Sequence, residues 1–340
     1  MTEPQPFRAP LAALTGATGF LGSHIADVLI AQGWRVRAAV RPTSDRSWLP
    51  NGVTVVEVPI APEGDIDAWT SPEERRTLTD FVRGASAVIH CAGAVRAESL
   101  GEYRRANTAS TWRLLNAARD ARLRGSFILI SSLAAAGPSA IDRPRLETGP
   151  RRPVTDYGRS KAEAEALVEQ GWPFRTAILR PPALYGPRDE AFLPLFKAAR
   201  RGLTIRIGNL REVSLVDGRD AAEAAVLLAA DDRARGIYFV DDGADYDFAD
   251  LAEAVGEAWN RKVRTLSLPQ PLLEIAAKLV GRRRASRLPL LAADRLRDTA
   301  QEAWTCDGSR LRDQLGFEAE HDLFSGFIDT LAWYRREGWL

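Results

Sequence analysis

Leu11-Ala12-Ala13-Leu14-Thr15-Gly16-Ala17-Thr18-Gly19-Phe20-Leu21-Gly22 is the stretch that decides the fold. Four apolar residues run into a turn with glycines at 16, 19 and 22, and Ile25, Val28 and Leu29 continue at helical spacing beyond it. The pattern reads as a strand, a tight turn and a helix. Glycines so placed let the backbone turn sharply, approach a ligand closely and pack the helix on a sheet, while the helix N-terminus offers N–H groups to a pyrophosphate. The spacing is Gly-x-x-Gly-x-x-Gly rather than Gly-x-Gly-x-x-Gly. It predicts a dinucleotide site at Gly16, Thr18, Gly19, Phe20, Leu21 and Gly22; a purely structural turn is the competing reading.

Outward from this turn, strand-like runs alternate with helical patterns. Strands are expected at Leu11 to Leu14, Arg35 to Val40, Val53 to Val58, Ala87 to His90, Phe127 to Ile130 and Arg175 to Leu179, with helices beginning near Gly22, Ser71, Leu100 and Tyr157. Such alternation predicts an α/β fold with a doubly wound parallel sheet. After Pro181 and Pro182 the order breaks, and Ser214-Leu215-Val216 and Ile237-Tyr238-Phe239-Val240 read as returning strands. The expected division is a nucleotide-binding domain over 8–180 with returning segments near 212–242, and a smaller, interleaved C-terminal substrate domain from 181–211 and 243–340.

Tyr157 stands four residues before Lys161 in Tyr157-Gly158-Arg159-Ser160-Lys161, which puts phenol and ammonium on one helix face. A positive charge there favours phenolate and is expected to lower a pKa that starts near ~10. Ser132 follows the apolar run Phe127-Ile128-Leu129-Ile130, at the carboxyl end of a strand, where open α/β sheets bind ligands. Together the three make a site that can exchange a proton with an alcohol or ketone. A solvated helix start is the bland alternative for Tyr157 and Lys161.

With both motifs in view the chain resembles the extended short-chain dehydrogenase/reductase superfamily, of the NAD-dependent epimerase/dehydratase type. In motif it is most similar to the dihydroflavonol-reductase and 3β-hydroxysteroid-dehydrogenase-like bacterial branch. Val88-Ile89-His90-Cys91-Ala92-Gly93, Arg105-Ala106-Asn107-Thr108 and Leu179-Arg180-Pro181-Pro182-Ala183-Leu184-Tyr185-Gly186-Pro187 also carry the likeness. The resemblance implies a Rossmann-type domain and a catalytic set of Ser132, Tyr157, Lys161 and Asn107. It implies cofactor contacts from Ile60, Cys91, Ala92, Gly93, Asn107, Ser131, Tyr157, Lys161, Pro181 and Ala183, with Tyr185 and Arg188 as weaker substrate candidates. By the same resemblance Lys161 bonds the nicotinamide ribose. The aspartate that often follows the third strand is replaced by Val58-Pro59-Ile60-Ala61, and Asp65 lies too far along to substitute for it.

The cofactor is read about twenty residues beyond the last glycine of the turn. A carboxylate there would bind ribose hydroxyls; Val40-Arg41-Pro42-Thr43-Ser44 instead offers a guanidinium for a 2′-phosphate. NADP is therefore expected, with NAD possible, and Ser44 and Arg46 are further candidates for the phosphate. Arg41 as a plain exposed strand end is the alternative. Leu133 and Ala134 follow Ser132, where sugar dehydratases need carboxylates, so dehydration is disfavoured. Reduction or oxidation of a small molecule leads, and a nucleotide-sugar epimerase with Arg188, Arg211 and Arg219 around a diphosphate follows. A non-catalytic NADP sensor comes third.

Composition sets the bounds. At 340 residues and net charge +1 the chain can bury a substantial core and is not expected to bind nucleic acid. Cys91 and Cys306, far apart, give no disulfide framework and no zinc-ligand spacing, so no metal is expected and the reducing cytoplasm is the default. No signal-like start and no run near the ~20 apolar residues of a membrane span are read. The resemblance implies a homodimer, with Trp112, Leu115 and Leu167 as candidate contacts. Pro271 to Val280 is amphipathic, a pattern that suits either a membrane surface or the entrance of an apolar pocket, and the pocket wall is the favoured reading. The Arg200-Arg201 and Arg282-Arg283-Arg284 clusters are read as solvated faces.

Overall fold

The computed structural model describes residues 9–61, 71–280 and 292–340. Asp65 and the Arg282-Arg283-Arg284 cluster lie outside them. Strands β1 (Leu11–Thr15), β2 (Arg35–Val40), β3 (Thr54–Glu57), β4 (Ala87–His90), β5 (Ser126–Ile130) and β6 (Arg175–Arg180) join one parallel sheet. They are buried on both faces at the centre, which is why β1, β4 and β5 read as unbroken apolar runs rather than alternating ones. β7 (Ala183–Tyr185), β8 (Leu203–Ile207), β9 (Glu212–Asp217) and β10 (Gly236–Phe239) follow, then β11 (Asp245–Tyr246), β12 (Arg264–Leu268) and β13 (Ala303–Trp304).

The large sheet has seven strands in the order β10-β6-β5-β4-β1-β2-β3, all parallel. The order reverses at β1, and the crevice at the carboxyl ends there is where such sheets bind ligands. Helix α1 (Phe20–Ala31) covers one face together with a later helix at Gly218–Ala230. On the other face lie α2 (Pro72–Val82), α3 (Leu100–Tyr103), a π-helical turn (Arg104–Ala109) and α4 (Ser110–Asp120). After the short α5 (Leu133–Ala136) comes α6 (Asp156–Val168), which packs on that same face.

The second lobe holds α7 (Leu193–Ala199), α9 (Phe248–Ala258), α10 (Gln270–Val280) and α11 (Ala293–Thr299), while α8 is the Gly218–Ala230 helix on the large sheet. α12 (Ser309–Leu315) and α13 (Leu323–Arg336) end the chain. Its aromatic core gathers Tyr185, Phe196, Phe327, Trp333 and Tyr334. Of the two returning strands, Ile237-Tyr238-Phe239 rejoins the large sheet in β10, whereas Ser214-Leu215-Val216 lies in β9 of a smaller sheet with β7, β11 and β13. β6 runs one residue past the reading from sequence, because buried Arg180 is neutralised by Glu165 and the strand continues through it.

Candidate active site

Each glycine of the first turn answers to something different. Gly16 has φ +76°, and a Cβ there would stand 2.6 Å from the backbone N of Ala92. A Cβ on Gly22 would come within 1.9 Å of the Gly16 carbonyl oxygen, so only glycine lets α1 close on the turn. Gly19 has φ −90°, and an added Cβ would meet only the Gly16 oxygen, at 3.4 Å. Nothing inside the protein demands its bareness. α1 also has no side-chain cap and no acidic residue in its first turn, which leaves its positive end open to an anion. The residues present thus fit a pyrophosphate.

The exit of β4 is stitched to this turn. Thr15 Oγ1 lies 2.7 Å from His90 Nδ1 and accepts from the Ala92 N–H at 3.1 Å. Burial, with the nearby Lys161 charge, pushes His90 down to about 3, so the ring is neutral. Burial pushes the Cys91 thiol up to about 11, which makes it inert at neutral pH. Asn107 sits in the π-helical turn, a local irregularity that recurs at functional sites. Its Oδ1 accepts from Ala94 N (2.8 Å), and its Nδ2 donates to Ala94 O (3.1 Å) and Ser160 Oγ (2.8 Å). It is buried and pins the Gly93-Ala94 segment to α6.

Beyond β5 the two serines part. Ser131 Oγ donates to Glu165 Oε1 at 2.6 Å, while Ser132 caps α5, its Oγ accepting from Ala134 N at 3.1 Å. The Ser132 hydroxyl is also the hydrogen-bonding neighbour of the Tyr157 phenol. The first turn of α6 is capped twice: Thr155 Oγ1 accepts from Gly158 N (3.0 Å), and the carboxylate of Asp294, on α11, accepts from Asp156 N (2.9 Å) and Tyr157 N (3.0 Å). Tyr157, Lys161 and Glu165 then follow at intervals of four along one face. Lys161 Nζ donates to Ile130 O at 2.6 Å. Glu165 is fully buried and grips Arg180 with both oxygens (2.8 and 2.6 Å), with Arg151 Nε at 2.6 Å.

The electrostatics correct one expectation. Burial pushes the Tyr157 phenol up to about 12, partly offset by its hydrogen-bonding neighbour Ser132. The charges that act most on it belong to Cys91, Tyr103 and Asp298, not to Lys161, whose ammonium donates to the Ile130 carbonyl. The phenol is therefore held protonated rather than tuned toward phenolate. Burial pushes Lys161 down to about 8, with Cys91 and Glu165 pulling it back up. For Glu165 burial raises the carboxyl, but Arg180, Ser131 and Arg151 outweigh it and keep it below the usual range.

Other readings fare unequally. Pro181 O accepts from Leu133 N at 2.8 Å, which sets the start of the 181–187 stretch against α5, and Ala183 is exposed at the start of β7. Arg41 is exposed at the end of β2; its N–H donates to Ser44 Oγ (3.2 Å) and its carbonyl accepts from Ser44 N (3.0 Å), closing a small turn. Arg46 is paired with Glu57 at 2.9 Å. Ile60 is half-buried just beyond β3.

Tyr185 and Arg188 do not stand free for a substrate. Tyr185 is fully buried in the aromatic core and donates to Asp322 O (2.9 Å). Arg188 pairs with Asp27 of α1 (2.7 Å) and lies over Trp48. Arg219 is likewise held by Asp217 and Asp329, and Arg211 is exposed near Glu302. Leu115 is core and Leu167 packs beside it, because α4 and α6 turn these residues toward the sheet. Thr15, His90, Glu165, Arg180 and Asp294 were not singled out from the sequence. Glu165 alone had a signal, at one more interval of four beyond Lys161.

Comparison with known proteins places the chain in a family. The family model described as "NAD dependent epimerase/dehydratase family" matches residues 12–240. The chain is 30% identical to the ceramide reductase of Caulobacter vibrioides over 97% of this chain and 96% of that protein. It is 29% identical to a UDP-glucose 4-epimerase of Vibrio cholerae over 93% of each. Among solved structures, MoeE5 in complex with UDP-glucuronic acid and NAD superposes with a TM-score of 0.71 at 24% identity, covering 97% of this chain and 100% of that one.

Proposed function

Since this chain belongs to the NAD dependent epimerase/dehydratase family, whose chemistry is nicotinamide-dependent hydride transfer at a carbon bearing oxygen, we propose that it is a net oxidoreductase. Its substrate would be the ketone, or the alcohol, of an apolar small molecule, and its cofactor NADP(H). One observation carries the reading: a protonated Tyr157 with Ser132 as its hydrogen-bonding neighbour, at the carboxyl end of β5 and next to the open α1 turn. That is an acid poised for a carbonyl oxygen. The likeness to a ceramide reductase supports it.

Gly16, Thr18, Gly19 and the α1 N-terminus would hold the pyrophosphate, and Arg41 with Ser44 the 2′-phosphate. When bound, the reduced nicotinamide supplies the hydride. Tyr157 gives its phenolic proton to the substrate oxygen, and Ser132 donates a hydrogen bond to the same oxygen and fixes its direction. Lys161, held by the Ile130 carbonyl, would turn its remaining N–H groups to the nicotinamide ribose. Asn107 keeps α6 and the Gly93-Ala94 segment in register. Leu133 and Ala134 beside Ser132 offer no acid for dehydration.

An epimerase would use the same tyrosine but needs a clamp for a diphosphate. Of the three arginines read for one, Arg188 and Arg219 are already held by aspartates and Arg211 is exposed near Glu302. The purified protein is expected to consume NADPH with a ketone substrate and release NADP+, and tightly retained cofactor without net consumption would overturn the oxidoreductase reading. Tyr157→Phe is expected to lower turnover about 10²–10⁴-fold while NADPH affinity stays near normal. An active Phe variant would remove the proton donor assigned here.

A further inference from the structure

α10 presents its apolar stripe the wrong way for a core helix. Leu272, Ile275 and Leu279, at spacings of three and four, are 53, 52 and 83% exposed, and only Leu273 and Gln270 of this helix are buried. The sequence reading of a pocket wall does not hold, because the stripe faces outward. Beside it, β8 and β12 pair in parallel with Ile205 opposite Leu266. Their inner face is marked by Thr204, which is buried and bonded to Thr265 (2.9 Å), so alternation turns Leu203, Ile205 and Leu266 to the outside. Of nine exposed large hydrophobics among the described residues, six lie on β8, β12 and α10. Single exposed leucines need no explanation; a cluster on adjoining elements does.

Charge identifies the occupant. On the outward side stand Arg264, which shares the outer face with Leu203, and Lys278 of α10, against one acid, Glu274, while alternation puts Arg206 on the Thr204 side. A second copy would bury two cations for every acid on this face. An anionic lipid surface would take the apolar side chains into its acyl boundary and the cations among its headgroups. No described helix is long and apolar enough to cross a membrane, so the contact is peripheral. The face also adjoins the candidate site: Gln270 at the head of α10 bonds Leu296 O (3.0 Å) and Thr299 Oγ1 (3.0 Å) on α11, the helix whose Asp294 caps α6.

We propose that the β8–β12–α10 face docks the protein on an anionic lipid bilayer and that the site draws its apolar substrate from there. The substrate half rests on the oxidoreductase reading; the docking half does not. The test is flotation of the full chain with vesicles of equal parts phosphatidylcholine and phosphatidylglycerol, and with phosphatidylcholine alone. The chain is expected to float with the mixed vesicles, to leave them as salt rises, and to stay behind with the neutral ones. Ile275→Glu with Leu279→Glu should cut the floated fraction about tenfold or more while NADPH consumption with a water-soluble ketone is unchanged. Three results would overturn the proposal: equal flotation of the double variant, no flotation of the parent, or a dimer that the double variant splits, which would make a second copy the occupant. Loss of turnover in every protein tested would strike the oxidoreductase reading and leave flotation as its own answer.

Discussion

Glu165 acts on chemistry it never touches. Its carboxylate is buried against Arg180 and Ser131, one helical turn beyond Lys161, and its charge favours the ammonium form of that lysine. Lys161 works as a cation, so kcat/KM for NADPH should be level below about pH 8 and fall above it, since that parameter reports the free enzyme. In Glu165→Gln the favourable charge is gone and Arg180 is left uncompensated, which lowers the lysine further. The basic limb is expected to move to lower pH, with a stability loss of about 3–5 kcal/mol, and Glu165→Asp should restore the limb. An unshifted limb in the Gln variant would confine Glu165 to packing. Arg41→Ala is expected to weaken NADPH about ten- to hundredfold and leave NADH unchanged, and equal losses by direct binding would show that no 2′-phosphate sits there. Tyr157, Lys161 and Ser132 were legible because helical spacing and a strand end are local facts. The Glu165–Arg180 pair was not, because the partners stand on different elements and neither has a pattern of its own. The expected lowering of the phenol failed for a related reason: spacing shows that two groups share a face, not where the ammonium ends its hydrogen bond.

Elements separate more cleanly than residues. Gly22→Ala drives a methyl into the Gly16 carbonyl and is expected to cost about 1–3 kcal/mol in denaturant unfolding. Gly19→Ala meets no backbone strain and should leave stability within about 0.5 kcal/mol while weakening NADPH. If the Gly19 variant binds cofactor normally, the turn holds no pyrophosphate. Most strands and helix starts were readable to within a residue or two because the sheet is buried on both faces and its helices are capped by Ser71, Ser99 and Thr155. Periodicity gave α10 its stripe as well. It did not give the direction the stripe faces, since an apolar row has the same spacing whether it meets a core, a bilayer or water.

For the whole molecule, the alternation of strands and helices up to residue 180 contained the parallel sheet. What it could not contain is how the remainder threads back. Ser214-Leu215-Val216 and Ile237-Tyr238-Phe239 look alike as short apolar runs, yet one builds the smaller sheet and the other closes the large one, a difference set by partners far away in sequence. The match to the family model stops at residue 240, but Leu311, Leu315 and Phe317 complete the core under α1 and α8, and Asp294 finishes the cap of α6. Such a chain resists inheritance by parts. A relative that exchanged everything after residue 240 as a block would lose Leu311, Leu315 and Phe317 from the core of its large sheet along with the cap of α6.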